Sequence, residues 1–181
     1  VHIDFTLKKE NHIPLLINDI NIPYANTAKY LGMTLDTKLR WKEHVKKKKE
    51  ELNIKYRQMY WLLGRKSELS TDNKLLLYKQ ILKPVWTYGI QLWGCTKKTN
   101  SSLIQRFQNK VLRGIVKAPW YVRNTDIHRD LQIDMVSDVV KKSATAHFGR
   151  LQSHVNPMMT NILDNDVARL RLKRTKPFNL V

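Results

Sequence analysis

The sequence predicts an α+β fold that is mainly α-helical, with short antiparallel strands at the N-terminus followed by a helical bundle and a helical C-terminal region. Two patterns support this prediction. Over residues 1–36, apolar residues alternate or form short runs, as is typical of strands. Beyond residue 36, apolar residues recur at helical spacing, and capping residues, glycine or proline mark the segment ends.

The composition narrows the class of partner. The chain has 181 residues, enough for one domain or two small ones with a real core. Its formal net charge of +18 favours a polyanionic partner, with nucleic acid first and an anionic membrane surface second; the alternative is a solvated surface that is merely basic. Cys95 is the only cysteine, which excludes internal disulfides and cysteine-based zinc sites.

Short strands and turns are predicted near the start of the chain. The strand segments lie at residues 1–7, 13–17, 20–23 and 30–35. Asn18 and Asp19 are predicted as a turn between the second of these segments and a short return strand. Gly32 lies inside the last predicted strand, where it marks a bulge or a close approach of the backbone to another group.

The predicted helices are separated by recognisable end signals. They lie at residues 37–63, 71–83, 101–117 and 134–154, and Asn124 is predicted to cap a short turn that runs through Leu131. Asp36 or Thr37 is predicted to cap the first helix and Ser70 the second, and Pro84 kinks or ends the second. The stretch VWTYGIQLW at residues 85–93 is predicted to be buried, but its composition leaves helix and strand open.

Four consecutive lysines, Lys46, Lys47, Lys48 and Lys49, fall within the first predicted helix. At about 100° per residue they spread around the helix, so Lys46 and Lys47 point away from the apolar stripe and the other two lie at its edges. Lysine stems can lie along apolar surface while their ammonium groups reach beyond it. We name these residues the basic collar and predict that they bind nucleic acid. The alternative is a solvated collar partly neutralised by the two glutamates that follow.

A second basic surface is predicted on the helix over residues 101–117. Arg106, Lys110, Arg113 and Lys117 recur at spacings of four, three and four, opposite an apolar stripe, and we name them the basic row. No acidic residue lies among them. Aligned cations of this kind can follow a phosphate backbone, because each neutralised phosphate releases counterions. A helix that is merely soluble would usually mix charge signs.

The segment APWYVRNTDIHRDL, residues 118–131, combines aromatic side chains with arginines. Trp120 and Tyr121 are candidates for stacking on bases, and Arg123 and Arg129 for holding phosphate. The favoured interpretation is instead an aromatic plug at a corner between helices, in which two aspartates of the same segment pair with the arginines.

The side chains that catalysis needs are not evident in the sequence. Nucleotidyl transfer with two metal ions needs paired carboxylates, whereas Asp164 and Asp166 lie in a polar segment near the tail and Asp36 is better explained as a cap. The histidines are scattered, and neither a glycine-rich phosphate loop nor a nucleophile elbow is present. We therefore predict no catalytic residue, no metal site and no cofactor within this segment.

Three long stretches carry a resemblance to a known family. They are KYLGMTLDTKLRWKEHV at residues 29–45, KYRQMYWLLGRKSELSTDNKLLLYKQILKPVWTYGIQLWG at 55–94 and APWYVRNTDIHRDL at 118–131. In this order they resemble the C-terminal part of the reverse transcriptases of jockey-type non-LTR retrotransposons of arthropods. The similarity covers essentially the whole chain, including FTLKK and INIPYANTAKYLG near its start.

The resemblance implies a division of the chain into three parts. They are residues 1–36, the end of the palm; residues 37–118, a thumb-like helical domain; and residues 119–181, a C-terminal helical extension with a basic tail. Tyr30, Leu31 and Gly32 resemble the region of the primer-gripping hairpin. The family's catalytic aspartates lie in the palm, upstream of Val1, so Mg²⁺ is expected there and not in this segment.

The function implied by the resemblance is that of a fragment of an RNA-directed DNA polymerase. It would bind an RNA/DNA or DNA template–primer duplex in the nucleus, with the palm and fingers as partners and without a membrane. The alternative is a stand-alone, non-enzymatic nucleic-acid-binding or interaction module derived from such an element. A weaker third hypothesis, a membrane-surface protein, follows from the basic amphipathic helix predicted over residues 38–63. A continuous upstream reading frame with palm aspartates would distinguish the polymerase from the module.

Overall fold

The computed structural model of the chain describes residues 1–5, 14–161 and 180. Two antiparallel strand pairs precede a series of helices, which confirms the predicted mainly α-helical α+β class. The strands are β1 (Leu15–Ile17), β2 (Ile20–Ile22), β3 (Thr27–Tyr30) and β4 (Met33–Asp36). The helices are α1 (Lys42–Gln58), α2 (Tyr60–Leu63), α3 (Thr71–Leu77), α4 (Lys83–Thr87), α5 (Ile90–Trp93), α6 (Lys98–Ile115), α7 (Asn124–Asp130), α8 (Val136–Gln152) and α9 (Pro157–Asn161).

Some predicted features lie outside the described residues. They are the basic tail, the two aspartates near it and part of the first predicted strand. Among the described residues, no helix is both long and apolar enough to cross a membrane.

Both strand pairs are hairpins with two-residue turns. Asn18 and Asp19 join β1 to β2 with φ of 48° and 63°, as the sequence predicts for a turn at this position. Leu31 and Gly32 join β3 to β4 with φ of 44° and 74°. Positive φ at both central positions is typical of the turn type whose twist matches that of the flanking strands.

The prediction of one continuous strand over residues 30–35 is therefore wrong. Tyr30 ends β3 and pairs with Met33, the first residue of β4. Gly32 is a turn residue and not a bulge, because the second central position of this turn needs a positive φ that glycine adopts without strain. We name residues 30–33 the hairpin tip.

The connection from β4 to α1 is organised by one carboxylate. Asp36 accepts hydrogen bonds from the backbone amides of Lys38, Arg40 and Trp41 at 2.9–3.1 Å. The helix itself begins only at Lys42, without a side-chain cap. Asp36 thus stabilises the turn that leads into α1, and the predictions that the helix starts at residue 37 and that Asp36 or Thr37 caps it are wrong.

His44 joins the second hairpin to the start of α1. The backbone amide of Thr34 donates a hydrogen bond to His44 Nδ1 at 3.1 Å, and both residues are buried. Burial, with a smaller contribution from Lys48, lowers the pKa of His44 from 6.5 to about 4. The neutral ring is therefore the form that accepts this hydrogen bond at physiological pH.

The segment from Ser70 to Trp93 is helical throughout most of its length, which resolves the open assignment of residues 85–93. Ser70 Oγ accepts a hydrogen bond from the Asn73 amide, as predicted for a cap. Between α3 and α4 the chain forms a π-helical turn (Tyr78–Leu82), and Pro84 lies in the first turn of α4. Because proline lacks a backbone N–H, the wider turn before it accommodates Pro84 without ending the helical path.

The core forms where α1, α4 and α5 meet α6 and α8. Its buried side chains come from β4 through α8, and the largest fully buried ones include Leu52, Leu63, Tyr78, Leu82, Trp86, Trp93, Ile104, Leu112 and Ile115. The apolar stripe predicted on α6 faces this core, which leaves the opposite side of that helix to solvent. The division of the chain into three parts stays a prediction.

A buried polar network joins α6 to the two helices that follow it. Gln108 Nε2 donates to the backbone oxygen of Asp134 at 3.0 Å, and the Val136 amide donates to Gln105 Oε1 at 2.8 Å. The two ring nitrogens of His128 lie 2.8 Å from the Ile133 oxygen and 2.9 Å from Asn109 Oδ1. Satisfied buried polar groups of this kind favour one arrangement of the corner over others.

We expect Gly89→Ala to destabilise the fold by about 1–2 kcal/mol or more, because Gly89 has a φ of 63° and an added Cβ would lie 2.7 Å from Met33 Sδ. Gly149→Ala is the matched control: it lies inside α8 with nothing within 4 Å of its Cβ position, and should stabilise by about 0.5–1 kcal/mol. Urea denaturation measures both. Equal effects of the two substitutions would contradict the strain at the α4–α5 junction.

The lowered pKa of His44 predicts that the free energy of unfolding decreases as the pH falls from 6.5 towards 4. In this window the unfolded chain takes up a proton that the folded protein excludes, so acid favours unfolding. His44→Asn keeps an acceptor for the Thr34 amide but does not titrate. Urea denaturation across the window should show a shallower pH dependence in this variant, and identical curves would count against a neutral, buried imidazole.

Candidate nucleic-acid interface

The basic collar on α1 is only partly free. Lys46 and Lys47 are exposed, as predicted from their position opposite the apolar stripe. Lys48 lies at the edge of the stripe, and its ammonium group pairs with Glu51 at 3.0 Å. Lys49 is half-buried. The side chains most available to a phosphate are therefore Lys46 and Lys47.

Tyr88 connects the hairpin tip to the basic collar. Its hydroxyl donates a hydrogen bond to the Leu31 backbone oxygen at 2.8 Å, and its ring centroid lies 5.9 Å from Lys48 Nζ. A Cβ at Gly32 would lie 3.3 Å from the same ring. The close approach predicted at Gly32 is thus an approach to Tyr88, while Tyr30 and Leu31 remain exposed.

The members of the basic row lie in different surroundings. Arg106 is exposed, and its Nε donates to the Ser102 oxygen of the same helix at 3.3 Å. Lys110 is exposed and places its ammonium group 5.8 Å from the centroid of the Tyr56 ring. Lys117 lies beyond the end of α6 with a φ of 54°, so the row on the helix is shorter than predicted.

Arg113 is used inside the protein. Its guanidinium donates to the backbone oxygens of Pro119 and Val122 at 2.7 and 2.6 Å, and to Asn124 Oδ1 at 2.8 Å. The interpretation of Arg113 as a free phosphate ligand is corrected accordingly. Its charge remains, however, because its partners are neutral oxygens and not carboxylates.

A cleft opens between α6 and the end of α1, with a volume of about 480 Å³. We name it the α6 cleft, and its lining residues are Tyr56, Tyr60, Arg65, Arg106, Asn109, Lys110, Arg113, Gly114 and Asn124. Among the described residues that line it, basic and neutral polar side chains occur together with two tyrosines, and there is no carboxylate. Such a cleft favours an anion, since its field is positive and uncompensated.

The loop over residues 118–123, which we name the aromatic loop, exposes both of its aromatic rings. Trp120 and Tyr121 are 90% and 70% exposed, and their rings stand edge to face with centroids 6.0 Å apart. The predicted aromatic plug is therefore wrong: the corner is closed by smaller apolar side chains, of which Ala118 and Ile127 are buried.

The arginines near the aromatic loop differ in their pairing. Arg129 contacts Asp126 and Asp130 at 3.4 Å each, as the plug interpretation expected. Arg123 immediately precedes α7 and is exposed, and within residues 1–5 and 14–161 it forms no ion pair. Arg123 is thus the more available of the two for a phosphate.

Two arginines of the α6 cleft hold the aromatic loop in place. Arg113 bonds the backbone on both sides of the aromatic pair, at Pro119 and Val122. Arg65 Nη2 donates to the Ala118 oxygen at 3.0 Å. The cleft and the loop therefore share side chains and form one continuous surface.

Sequence reasoning missed two buried basic residues, His44 and Lys74. The ammonium group of Lys74 donates to the backbone oxygens of Ser67 and Gly64 at 3.0 and 3.4 Å, and burial, followed by nearby Lys117, lowers its pKa. A sequence signal for the burial of Lys74 was present, because this residue directly precedes a run of leucines on a helix.

Within the described part of the chain, no group of histidine, cysteine and acidic side chains is arranged to hold a metal ion.

We expect Arg113→Met to destabilise the protein by on the order of 2 kcal/mol, because it removes three hydrogen bonds from a charged donor, two of them to the Val122 oxygen and Asn124 Oδ1. The Val122 amide, which donates to the Pro119 oxygen at 3.3 Å, should also exchange its hydrogen faster. Arg106→Met is the control and should change stability by less than about 0.5 kcal/mol. Unaltered stability and exchange in Arg113→Met would show that the loop is held by other contacts.

Comparison with known proteins identifies relatives along nearly the whole chain. The chain is 40% identical over 180 residues to a probable RNA-directed DNA polymerase from transposon X-element of Drosophila melanogaster, covering 99% of this chain and 20% of the relative. It is 35% identical over 172 residues to the corresponding protein from transposon BS of the same species, covering 94% and 19%. It is 33% identical over 173 residues to the RNA-directed DNA polymerase from mobile element jockey of Drosophila funebris, covering 91% and 19%.

The chain thus spans about a fifth of the length of these relatives. No protein-family model matches it, and no solved structure matches it significantly. The relatives confirm the resemblance that the three long sequence stretches carry. The chain is homologous, over nearly all of its length, to one segment of the RNA-directed DNA polymerases of non-LTR elements that include jockey.

Proposed function

We propose that this chain is the thumb and adjoining C-terminal part of an RNA-directed DNA polymerase, and that it binds template–primer duplex without supplying catalytic residues. Homology to such polymerases supports this proposal. The chemical step, with the Mg²⁺ that it requires, would belong to the palm and fingers of the parent protein. The place of action would be the nucleus.

The α6 cleft is the observation that carries the proposal. Arg106 and Lys110 are exposed and line it, and Arg65 and Arg113 add charge whose hydrogen-bond partners, within the described part of the chain, are backbone or amide oxygens. In a protein with an excess of 18 positive charges, a concave surface without carboxylates concentrates the field. Contacts of this kind go to phosphate and sugar, and they position a duplex without reading its sequence.

The hairpin tip and the basic collar supply the second surface of the proposed interface. Tyr88 contacts both, so the exposed Tyr30 and Leu31 lie close to α1, which carries Lys46 and Lys47. A duplex end at the hairpin tip would lie close to the helix that carries these lysines. This arrangement agrees with the primer-grip role that the resemblance implies for residues 30–32.

The β1–β2 hairpin is a candidate contact for the parent polymerase. Leu15, Leu16, Ile17 and Ile20 are all exposed on this small two-stranded sheet. Several exposed apolar side chains on one hairpin, which no other described residue covers, are typical of an interaction surface. We expect the palm to pack against it.

We expect duplex binding to weaken steeply with salt. The logarithm of the binding constant should fall with the logarithm of salt concentration by about 0.9 for each phosphate contacted, because counterions are released. Fluorescence anisotropy with a labelled RNA/DNA or DNA duplex of mixed sequence measures it. An affinity that does not change with salt would contradict the proposed function.

Charge reversal locates the binding surfaces. The double substitutions Lys46→Glu with Lys47→Glu, and Arg106→Glu with Lys110→Glu, should each weaken duplex binding and reduce the salt dependence by about one phosphate per residue. All four side chains are exposed, so the fold should persist. The control is Lys141→Glu with Arg150→Glu on α8, which changes the net charge equally. An equal loss of affinity in the control would show that net charge, and not the two surfaces, determines binding.

A further inference from the structure

The aromatic loop combines exposed aromatic rings with a backbone that is held firmly. The chain bonds the loop carbonyls of Ala118, Pro119 and Val122 to two arginines. The side chains between these anchors, Trp120 and Tyr121, nevertheless extend into solvent. A loop that served only to connect α6 to α7 would need neither the exposed rings nor the fixed backbone.

The rigidity of the loop has a consequence for binding. A side chain on a fixed backbone loses less conformational entropy when it meets a partner, so binding through it is stronger. Trp120 and Tyr121 are aromatic, have few rotatable bonds and stand edge to face, which leaves ring faces open to solvent. They are therefore presented in a form that suits flat partners.

The surroundings of the loop specify the chemistry of that partner. On one side the loop adjoins the α6 cleft through Arg113 and Asn124, which line it. On the other side Arg123 is exposed, and the aspartates of α7 are occupied with Arg129. A ligand here would meet flat apolar rings between cationic groups, which fits a chain of bases linked by phosphates and not an acidic peptide.

We propose that the aromatic loop binds unpaired nucleotides, with bases stacked on Trp120 and Tyr121 and the adjoining phosphates held at the α6 cleft and Arg123. Bases inside a duplex are stacked on one another, so their faces are closed to these rings. The proposed site therefore selects single-stranded DNA or RNA next to the duplex. It rests on the proposed function only in that both use the α6 cleft for phosphate.

Leucine substitutions remove the aromatic rings on which bases would stack and leave apolar side chains in their place. In the full chain, Trp120→Leu with Tyr121→Leu should weaken binding of a single strand of roughly 12 nucleotides by about tenfold or more. Trp120→Phe with Tyr121→Phe keeps two aromatic rings and should stay within about threefold of the original chain. Both pairs lie at exposed positions and should fold normally. Equal losses in the two variants would overturn the proposal.

Two comparisons separate this site from the duplex interface. The leucine variant should bind a fully paired duplex as the original chain does, whereas an equal loss for duplex and single strand would overturn selection of unpaired bases. DNA and RNA strands of the same sequence should both bind, because stacking does not depend on the 2′-hydroxyl.

The two proposals can fail independently. If the original chain binds single strands through the aromatic pair but does not bind duplex, the proposed function fails and this site stands. If it binds neither, both fail.

Tryptophan fluorescence gives an independent readout. A base stacked on Trp120 should quench its emission, and the difference between the original chain and Trp120→Phe isolates that tryptophan from the others. Addition of a single strand should therefore quench the original chain more than the variant. Equal quenching in both would contradict contact at Trp120.

Discussion

The packing of α1 against α6 is the contact on which both basic surfaces depend. Tyr56 of α1 meets Phe107 of α6 edge to face with ring centroids 6.0 Å apart, and both rings are buried. Because each helix turns one stripe inward here, the cations on the remaining circumference must face outward. The same Tyr56 ring lies near the ammonium group of Lys110 and lines the α6 cleft, so the buried contact and the cleft share a residue.

Three cations of the protein hold backbone segments together through neutral oxygens. Arg113, Arg65 and Lys74 all donate to backbone carbonyls, and among the described residues Arg113 and Lys74 contact no carboxylate. A carboxylate partner would have cancelled their charge, whereas a carbonyl supplies a hydrogen bond and leaves the charge in place. Residues that stabilise the fold thus still contribute to the positive field.

At the hairpin tip, the role of a glycine that the sequence singles out depends on residues far along the chain. Gly32 indicates unusual backbone, but only the fold shows that the turn lies against Tyr88, which is 56 residues further along the chain. Gly89 follows Tyr88 and packs against Met33 in turn. These reciprocal close contacts join β4 to the α4–α5 junction, and with His44 they place the hairpin beside the basic collar.

The fold class, the turn at Asn18 and Asp19, the cap at Ser70, the outward position of Lys46 and Lys47 and the relationship to jockey-type polymerases could be predicted from the sequence, because periodicity, capping and long sequence matches are local or linear properties. Tertiary structure decided what Arg113 contacts, where α1 begins, and that Trp120 and Tyr121 are exposed. Spacing along a helix specifies only which side chains share a face. Whether a cation on that face meets solvent or a carbonyl depends on a neighbouring loop, whose path follows from the packing of the whole chain.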